Sequence, residues 1–278
     1  MNVLEFTFAL GLGSVLAGFL GALTGLGGGV VIVPLLVLGF GVDIHYAIGT
    51  SLVSVIATSS GAAAAYLQEG YSNIRVGMFL EIATTLGALS GAMLATRVPA
   101  NALAIVFGFT LMYSAYLSGP RSADVTGNAA TSGWAAALRL DSTYPTATGR
   151  QSYHVQSVPA GFGLMYAAGI LSGLLGVGSG AVKVLAMDHA MHLPFKVSTT
   201  TSNFMIGVTA AASAGIYLHR GYIDPGLAMP VVLGVLFGSM QGARFLTTAK
   251  TRWLRAIFMW VIVVLALEML YNGMTGKL

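Results

Sequence analysis

Residues 23–34 read LTGLGGGVVIVP. Gly25, Gly27, Gly28 and Gly29 fall within five positions, and both flanks are almost wholly apolar. The dinucleotide fingerprint G-x-G-x-x-G does not fit, because Val30 holds its third glycine position and no βαβ unit with a suitably placed acidic residue follows. From Phe6 to Leu38 the chain runs 33 residues without a charge. One straight helix of that length would reach about 50 Å, against a hydrocarbon core of roughly 30 Å. Two complete spans would need about 40 residues plus a turn. The pattern predicts two shortened or tilted helices joined by a turn below the membrane surface. Peptide groups freed there must be buried in protein, line a wet cavity or bind a ligand. Glycine allows the sharp turn and leaves the amides uncovered. The helix that begins at Val30 presents a positive end that favours an anion.

Composition places this turn in a membrane. The chain has 278 residues, 56% hydrophobic and 8% charged, with mean hydropathy +0.81. A soluble domain carries roughly 25% charged residues, so the sequence reads as an all-α polytopic membrane protein. In that setting the net charge of +4 marks cytoplasmic loops rather than a nucleic-acid partner. The absence of cysteine excludes disulfides and thiolate metal sites. The N-terminus, MNVLEFTF, has Glu5 and no basic residue; it is unlike a secretory leader and is expected to be retained.

Apolar segments lie near 4–23, 26–41, 46–67, 75–95 and 101–118, and again near 158–175, 179–191, 197–218, 226–246 and 253–271. Residues 119–157 between them are polar and too few for a separate enzymatic domain. The expected organisation is a membrane repeat over 1–118, a cytoplasmic linker over 119–157 with a short helix at 133–140, and a second membrane repeat over 158–278.

A shift of 151 residues aligns Gly25, Gly27 and Gly29 with Gly176, Gly178 and Gly180. It also pairs Thr50-Ser51 with Thr201-Ser202, Tyr66 with Tyr217, Gly70-Tyr71 with Gly221-Tyr222, and Gly87 and Gly91 with Gly238 and Gly242. Internal duplication of this kind is common in secondary transporters. Five segments per half would invert the second copy. With the N-terminus outside, Arg75, Arg121, Arg139, Arg150, Lys196, Arg244, Lys250, Arg252 and Arg255 fall inside, and only Arg97, Arg220 and Lys277 fall outside. The positive-inside bias therefore places both termini outside and the linker in the cytoplasm. The expected fold is two inverted repeats of about five helical segments each, the first two of each half forming a glycine-broken hairpin. Two such hairpins would bring positive helix ends together as an anion site; close helix packing is the other reading of the glycines.

Polar residues inside apolar segments mark candidate contacts. Lys183 lies three residues past Gly180. An ionisable group at that depth is functional by default, here as complement to a substrate's charge and as a proton-coupling group; snorkelling to an interface is the alternative. Residues 198–203 read STTTSN, and Thr201, Ser202 and Asn203 are expected to line a cavity, with helix capping or back-bonding as the alternative. The expected substrate-binding set is Gly27, Gly28, Gly29, Thr50 and Ser51 in the first half, and Gly178, Ser179, Gly180, Lys183, Thr201, Ser202 and Asn203 in the second. Glu81 is a candidate proton carrier or an ion-pair partner for Lys183. Tyr66 and Tyr217 read as interfacial anchors. Asp188, His189 and His192 carry ligand chemistry but sit with His45 in or near short loops, so no metal site or cofactor is assigned.

GLGGGVVIVPLL (25–36), SGLLGVGSGAVKV (172–184), KVSTTTSNFMIGVTAAASAGIYLHRGYIDP (196–225) and LDSTYPTATGRQSYHVQSVPAGFG (140–163) together resemble the TauE/SafE sulfite exporter family, also called the toluene-sulfonate uptake permease family. Ser179 departs from the glycine expected at its position, and the loop AMDHAMHLP is more polar than expected. The resemblance implies transport of small sulfur-containing anions such as sulfite, sulfonates or sulfoacetate, with export as the default direction. The partners expected are such an anion, the bilayer and a coupling proton or sodium ion; a homo-oligomer is compatible. A carboxylate or metal-ion transporter on the same scaffold is the alternative. With no G-x-S-x-G and no P-loop in the sequence, the chain reads as neither an intramembrane enzyme nor a nucleotide-driven pump.

Overall fold

Apolar runs interrupted by glycine, proline and short polar turns fold into helices that stop at those interruptions. The computed structural model describes residues 2–24, 28–69, 72–117, 133–146, 149–248 and 251–277. In the first half α1 spans Val3–Thr24, α2 Gly29–Pro34, α3 Ile44–Glu69, α4 Ile74–Ala95 and α5 Ala100–Leu117. A π-helical turn, Leu35–Gly39, extends α2. The linker forms α6 (Gly133–Ala137) and an antiparallel ribbon, β1 (Ser142–Thr146) and β2 (Gly149–Tyr153), with Ser142 opposite Tyr153. In the second half α7 spans Val158–Leu175, α8 Gly180–Leu185 with its π turn Ala186–Ala190, α9 Phe195–His219, α10 Pro225–Thr248 and α11 Thr251–Thr275.

The shift of 151 residues reappears in space. It maps α2 on α8 and one π turn on the other to the residue. Pro34 corresponds to Leu185, so the proline does not cause the widened turn. Each turn closes with the same bond, Val42 N–H to Leu36 O and Leu193 N–H to Met187 O, both 3.0 Å. The residue before the latter bond is left-handed in each half, Gly41 at φ +64° and His192 at φ +54°. Packing is crosswise: α1 lies on α10, α4 on α7, α3 on α9 and α5 on α11. A Cβ on Gly87 would overlap the carbonyl oxygen of Tyr166, and one on Gly238 that of Val15. These are one contact made twice, because Val15 and Tyr166 are themselves 151 apart. Backbones this close need a small residue on one side.

Outward faces are apolar. Leu4, Phe8, Leu12 and Leu16 form an exposed stripe on α1, and Met229, Leu233 and Phe237 do so on α10. Among the described residues four helices are long and apolar enough to cross a membrane, within α1, α4, α7 and α10. Tyr217 corrects the expectation of an interfacial anchor: it is fully buried, and its hydroxyl donates to Gly173 O at 3.1 Å. The side chain of Tyr66 lies outside the described residues.

The linker docks on one end of the bundle, where Leu140, Tyr144 and Tyr153 pack with Val76, Met187 and Val197. Asn73 joins these parts. Its side chain caps α4 at Val76 N–H and donates to Leu140 O at 2.9 Å and Tyr153 Oη at 2.8 Å, while its own N–H donates to Thr201 Oγ1 at 3.0 Å.

Two outcomes follow from this packing. Gly87→Ala and Gly238→Ala each lower stability by about 1–3 kcal/mol through overpacking, whereas Gly215→Ala, with open space around it, does not; thermal melting in detergent checks this. Burial pushes the Tyr153 hydroxyl from 10.0 up to about 12. The docked linker thus favours the protonated phenol, so its contribution is whole below pH 10 and is lost as pH rises from 10 to 12. Proteolysis of the linker accelerates across that window, and Tyr153→Phe removes the dependence.

Candidate functional site

Each half breaks its helix at the glycine cluster. Gly25, Leu26 and Gly27 lie outside the described residues, so the expectation for Gly27 falls there. Gly28 precedes α2 with φ −62° and accepts from Val31 and Ile32 N–H at 3.1 Å each. In the second break Gly176, Gly178 and Ser179 are left-handed, with φ +67°, +72° and +45°. Ser179 holds that conformation with a Cβ, at a cost of roughly 1–2 kcal/mol.

The breaks meet. A Cβ on Gly29 would lie 2.9 Å from Gly176 O and 2.7 Å from Ser51 Oγ. Gly178 sits against Val55 and Ile206, which are related by the same shift of 151. Carbonyls at the second break and in the first turn of α8 take up hydroxyls from the neighbouring helices. Ser51 Oγ donates to Gly176 O at 2.8 Å, and Ser202 Oγ donates to Gly180 O at 3.2 Å. These two hydroxyls, expected to face a ligand, hold the break in shape. Thr201 is also engaged, accepting from Asn73 N–H.

Other donors are left over. The first backbone bond into α8 is Lys183 N–H to Ser179 O at 3.0 Å. Neither Gly180 nor Val182 N–H donates to a described backbone acceptor. Ser179 Oγ and Thr50 Oγ1 are buried without a partner. A narrow cavity of about 10 Å³, the size of one water molecule, lies beside the break and is lined by Val30, Thr110, Ser114, Val177, Ser179 and Gly180 among others. It gathers Ser179 and Gly180 from the expected set. Gly28, Gly29, Thr50, Ser51, Gly178, Lys183, Thr201, Ser202 and Asn203 do not line it, although Lys183 and Asn203 are buried.

Lys183 is fully buried, so it does not snorkel. Its Nζ donates to Thr209 Oγ1 at 2.5 Å, and Thr209 Oγ1 donates to Glu81 Oε1 at 2.7 Å. Thr85 also donates to Glu81 Oε1, at 3.2 Å, whereas Glu81 Oε2 is buried without a partner. The short helix α8, α9 and α4 each supply one member of this chain. Sequence reading found Lys183 and Glu81 and missed Thr209. The available signal was a polar stripe on α9, Ser202, Thr209 and Ser213, at helical spacing. Asp188, His189 and His192 do not form a metal-holding cluster; no such group of three occurs among the described residues.

An apolar helical bundle with broken helices meeting around a buried lysine defines a multi-pass membrane protein of the transporter class. The chain matches the family described as sulfite exporter TauE/SafE over residues 10–269, and it belongs to that family. It is 29% identical over 266 residues to "Probable membrane transporter protein YunE" of Bacillus subtilis, covering 93% of this chain and 95% of that protein. It is 28% identical to "Probable membrane transporter protein YdhB" of the same organism, covering 88% and 89%, and 24% identical to a "Probable membrane transporter protein" of Xylella fastidiosa, covering 98% of both. No solved structure matches. The family comprises membrane transporters, not enzymes.

Ser179→Gly relieves the left-handed backbone and raises stability by about 1 kcal/mol, whereas Ser179→Ala keeps the strain and gains nothing; melting temperatures of the two variants separate the outcomes.

Proposed function

We propose that the protein is a secondary transporter of small sulfur-containing anions such as sulfite or organosulfonates, with export as the working direction. One observation carries this: a fully buried lysine, Lys183, stands on α8 four residues past Ser179, whose hydroxyl at the helix start is buried without a partner. A pyramidal or tetrahedral oxyanion presents several lone pairs to such donors. The family's description supplies the chemical class. Within the expected set, Gly178, Ser179, Gly180 and Lys183 would contact the anion. Gly28, Gly29, Thr50 and Ser51, together with Thr201, Ser202 and Asn203, would shape the meeting of the two breaks. Glu81 would serve proton coupling.

The working cycle is alternating access of two inverted repeats, 1–118 and 158–278, joined by the cytoplasmic linker 119–157, with both termini outside. Ring contact between Phe6 and Phe40, centroids 5.5 Å apart, supports a hairpin that returns to the face it entered from. The short helix with its π turn is 11 residues, about 16 Å, or half the hydrocarbon core. Three crossings then remain in each half, α3 to α5 and α9 to α11, and an odd number inverts the second copy. The one-water cavity corresponds to a closed stage of the cycle, opened when one repeat rocks against the other. A carboxylate would meet the same donors and belongs among the competitors to be tested; a metal cation would be repelled by Lys183.

In proteoliposomes the purified protein carries sulfite or a sulfonate in a saturable manner, inhibited by other sulfur oxyanions. Lys183→Met lowers this flux about 100-fold or more, the loss of one buried charge-assisted contact, and Lys183→Arg restores part of it. Wild-type flux in Lys183→Met, or cation flux indifferent to added anions, would contradict the proposal.

A further inference from the structure

The chain Lys183–Thr209–Glu81 occurs once. The shift of 151 puts Ile32 where Lys183 stands, Thr58 where Thr209 stands, and Val232 where Glu81 stands. Thr58 and Thr209 make matching bonds to their own helices, to Ser54 O at 3.1 Å and Met205 O at 2.9 Å, and among the described residues Thr209 alone adds a lysine and a carboxylate. The duplication therefore built two hairpins, and only the second was given charge.

Thr209 has a single hydroxyl proton. Two acceptors are in reach of it, Glu81 Oε1 at 2.7 Å and Met205 O at 2.9 Å; with Lys183 Nζ donating to the same oxygen, the charged carboxylate is the stronger acceptor. Ammonium and carboxylate thus meet through a hydroxyl, and the empty site is neutral overall. Among the described residues the groups acting on Glu81 are Lys183 from α8, Thr209 from α9, and Thr84 and Thr85 of its own helix. Helix α7, packed on the same face, presents Tyr166, which is paired with Ser90 at 3.2 Å, more than two turns further along. Glu81 supplies the one charge acting on Lys183.

An anion that takes Lys183 leaves the buried carboxylate's charge uncompensated, and a lone buried charge of that kind is strongly disfavoured. Neutrality returns when one proton joins Glu81, and Oε2, buried without a partner, is the place for it. We propose that Thr209 bridges the pair in the empty state and that displacement of Lys183 from it by a sulfur oxyanion obliges Glu81 to take up one proton, so that the protein moves one proton with each negative charge and needs no sodium. This rests on the anion site proposed above. The balance is simple: R–SO₃⁻ and H⁺ join the Lys183 ammonium and Glu81 carboxylate to give an ammonium–sulfonate pair and a neutral carboxylic acid. One O–H bond forms, the proton comes from solvent, and nothing is oxidised or reduced.

Methanesulfonate, singly charged throughout the working pH range, is the probe, in proteoliposomes with an acid exterior and an interior two pH units higher. At one proton per anion, wild-type protein accumulates it inside toward a limit of about 100-fold, without sodium and without response to an imposed potassium diffusion potential. Glu81→Gln and Thr209→Val bring the accumulation ratio to about one, and in Glu81→Gln the exchange of labelled for unlabelled methanesulfonate loses its pH dependence. Thr209→Ser, which keeps the hydroxyl, restores accumulation. Wild-type accumulation by Glu81→Gln or Thr209→Val, a requirement for sodium, or a response to membrane potential would overturn the inference while leaving the anion site standing. Absence of any methanesulfonate or sulfite exchange by wild-type protein would overturn the site and the inference together.

Discussion

A helix broken inside hydrocarbon frees peptide groups that no water can reach, and each must find a partner within the protein. That constraint organises this molecule. Both halves break their chain at the glycine cluster, and the second break settles carbonyls on hydroxyls of the two long central helices: Gly176 O on Ser51 and Gly173 O on Tyr217, while Ser202 adds a bond to Gly180 O in the first turn of α8. The donors are not settled in the same way. Gly180 and Val182 N–H have no described backbone acceptor, and the Ser179 hydroxyl is buried without a partner. The break thus ties carbonyls to the central helices and leaves donors at the start of α8 unpaired.

Symmetry explains how the breaks are held, and its failure explains what they do. Crosswise packing of α1 on α10 and α4 on α7 ties each half to the other through glycines that let backbones touch. Each of these contacts has a counterpart on the far side. Charge does not follow the duplication. Ile32 stands where Lys183 does in the repeat and is buried among apolar side chains. A device with two equal sites would give no reason for Glu81 on α4 to be joined through Thr209 to α8 alone.

Much of the fold was legible because glycine constrains both backbone angle and interhelical distance. The positions aligned by the shift of 151 reappear as matched short helices and as the paired contacts of Gly87 and Gly238. The linker ribbon was less legible, since STYPT and GRQSY lack the apolar alternation that marks a strand; its structure depends on docking against Asn73. Within the site, Lys183 and Glu81 stood out because charge is rare in such surroundings. Thr209 did not, because its bond to Met205 O is the one a helical threonine usually makes, and its charged partners lie 26 and 128 positions away. Ser51 and Ser202 were read as ligand donors from their residue type. Only coordinates reveal that freed carbonyls already occupy them. Tyr217 was misplaced for the same reason: an aromatic residue near a helix end looks like an anchor until its hydroxyl is seen bonded deep in the bundle.

Ligand-dependent melting of the purified, detergent-solubilised protein tests the anion pocket most directly, since a solute that binds only the folded state raises its stability with concentration. Sulfite or methanesulfonate should raise the melting temperature in a saturable manner, chloride at equal ionic strength should not, and Lys183→Met should abolish the shift. Equal shifts with chloride, or an undiminished shift in Lys183→Met, would contradict the account.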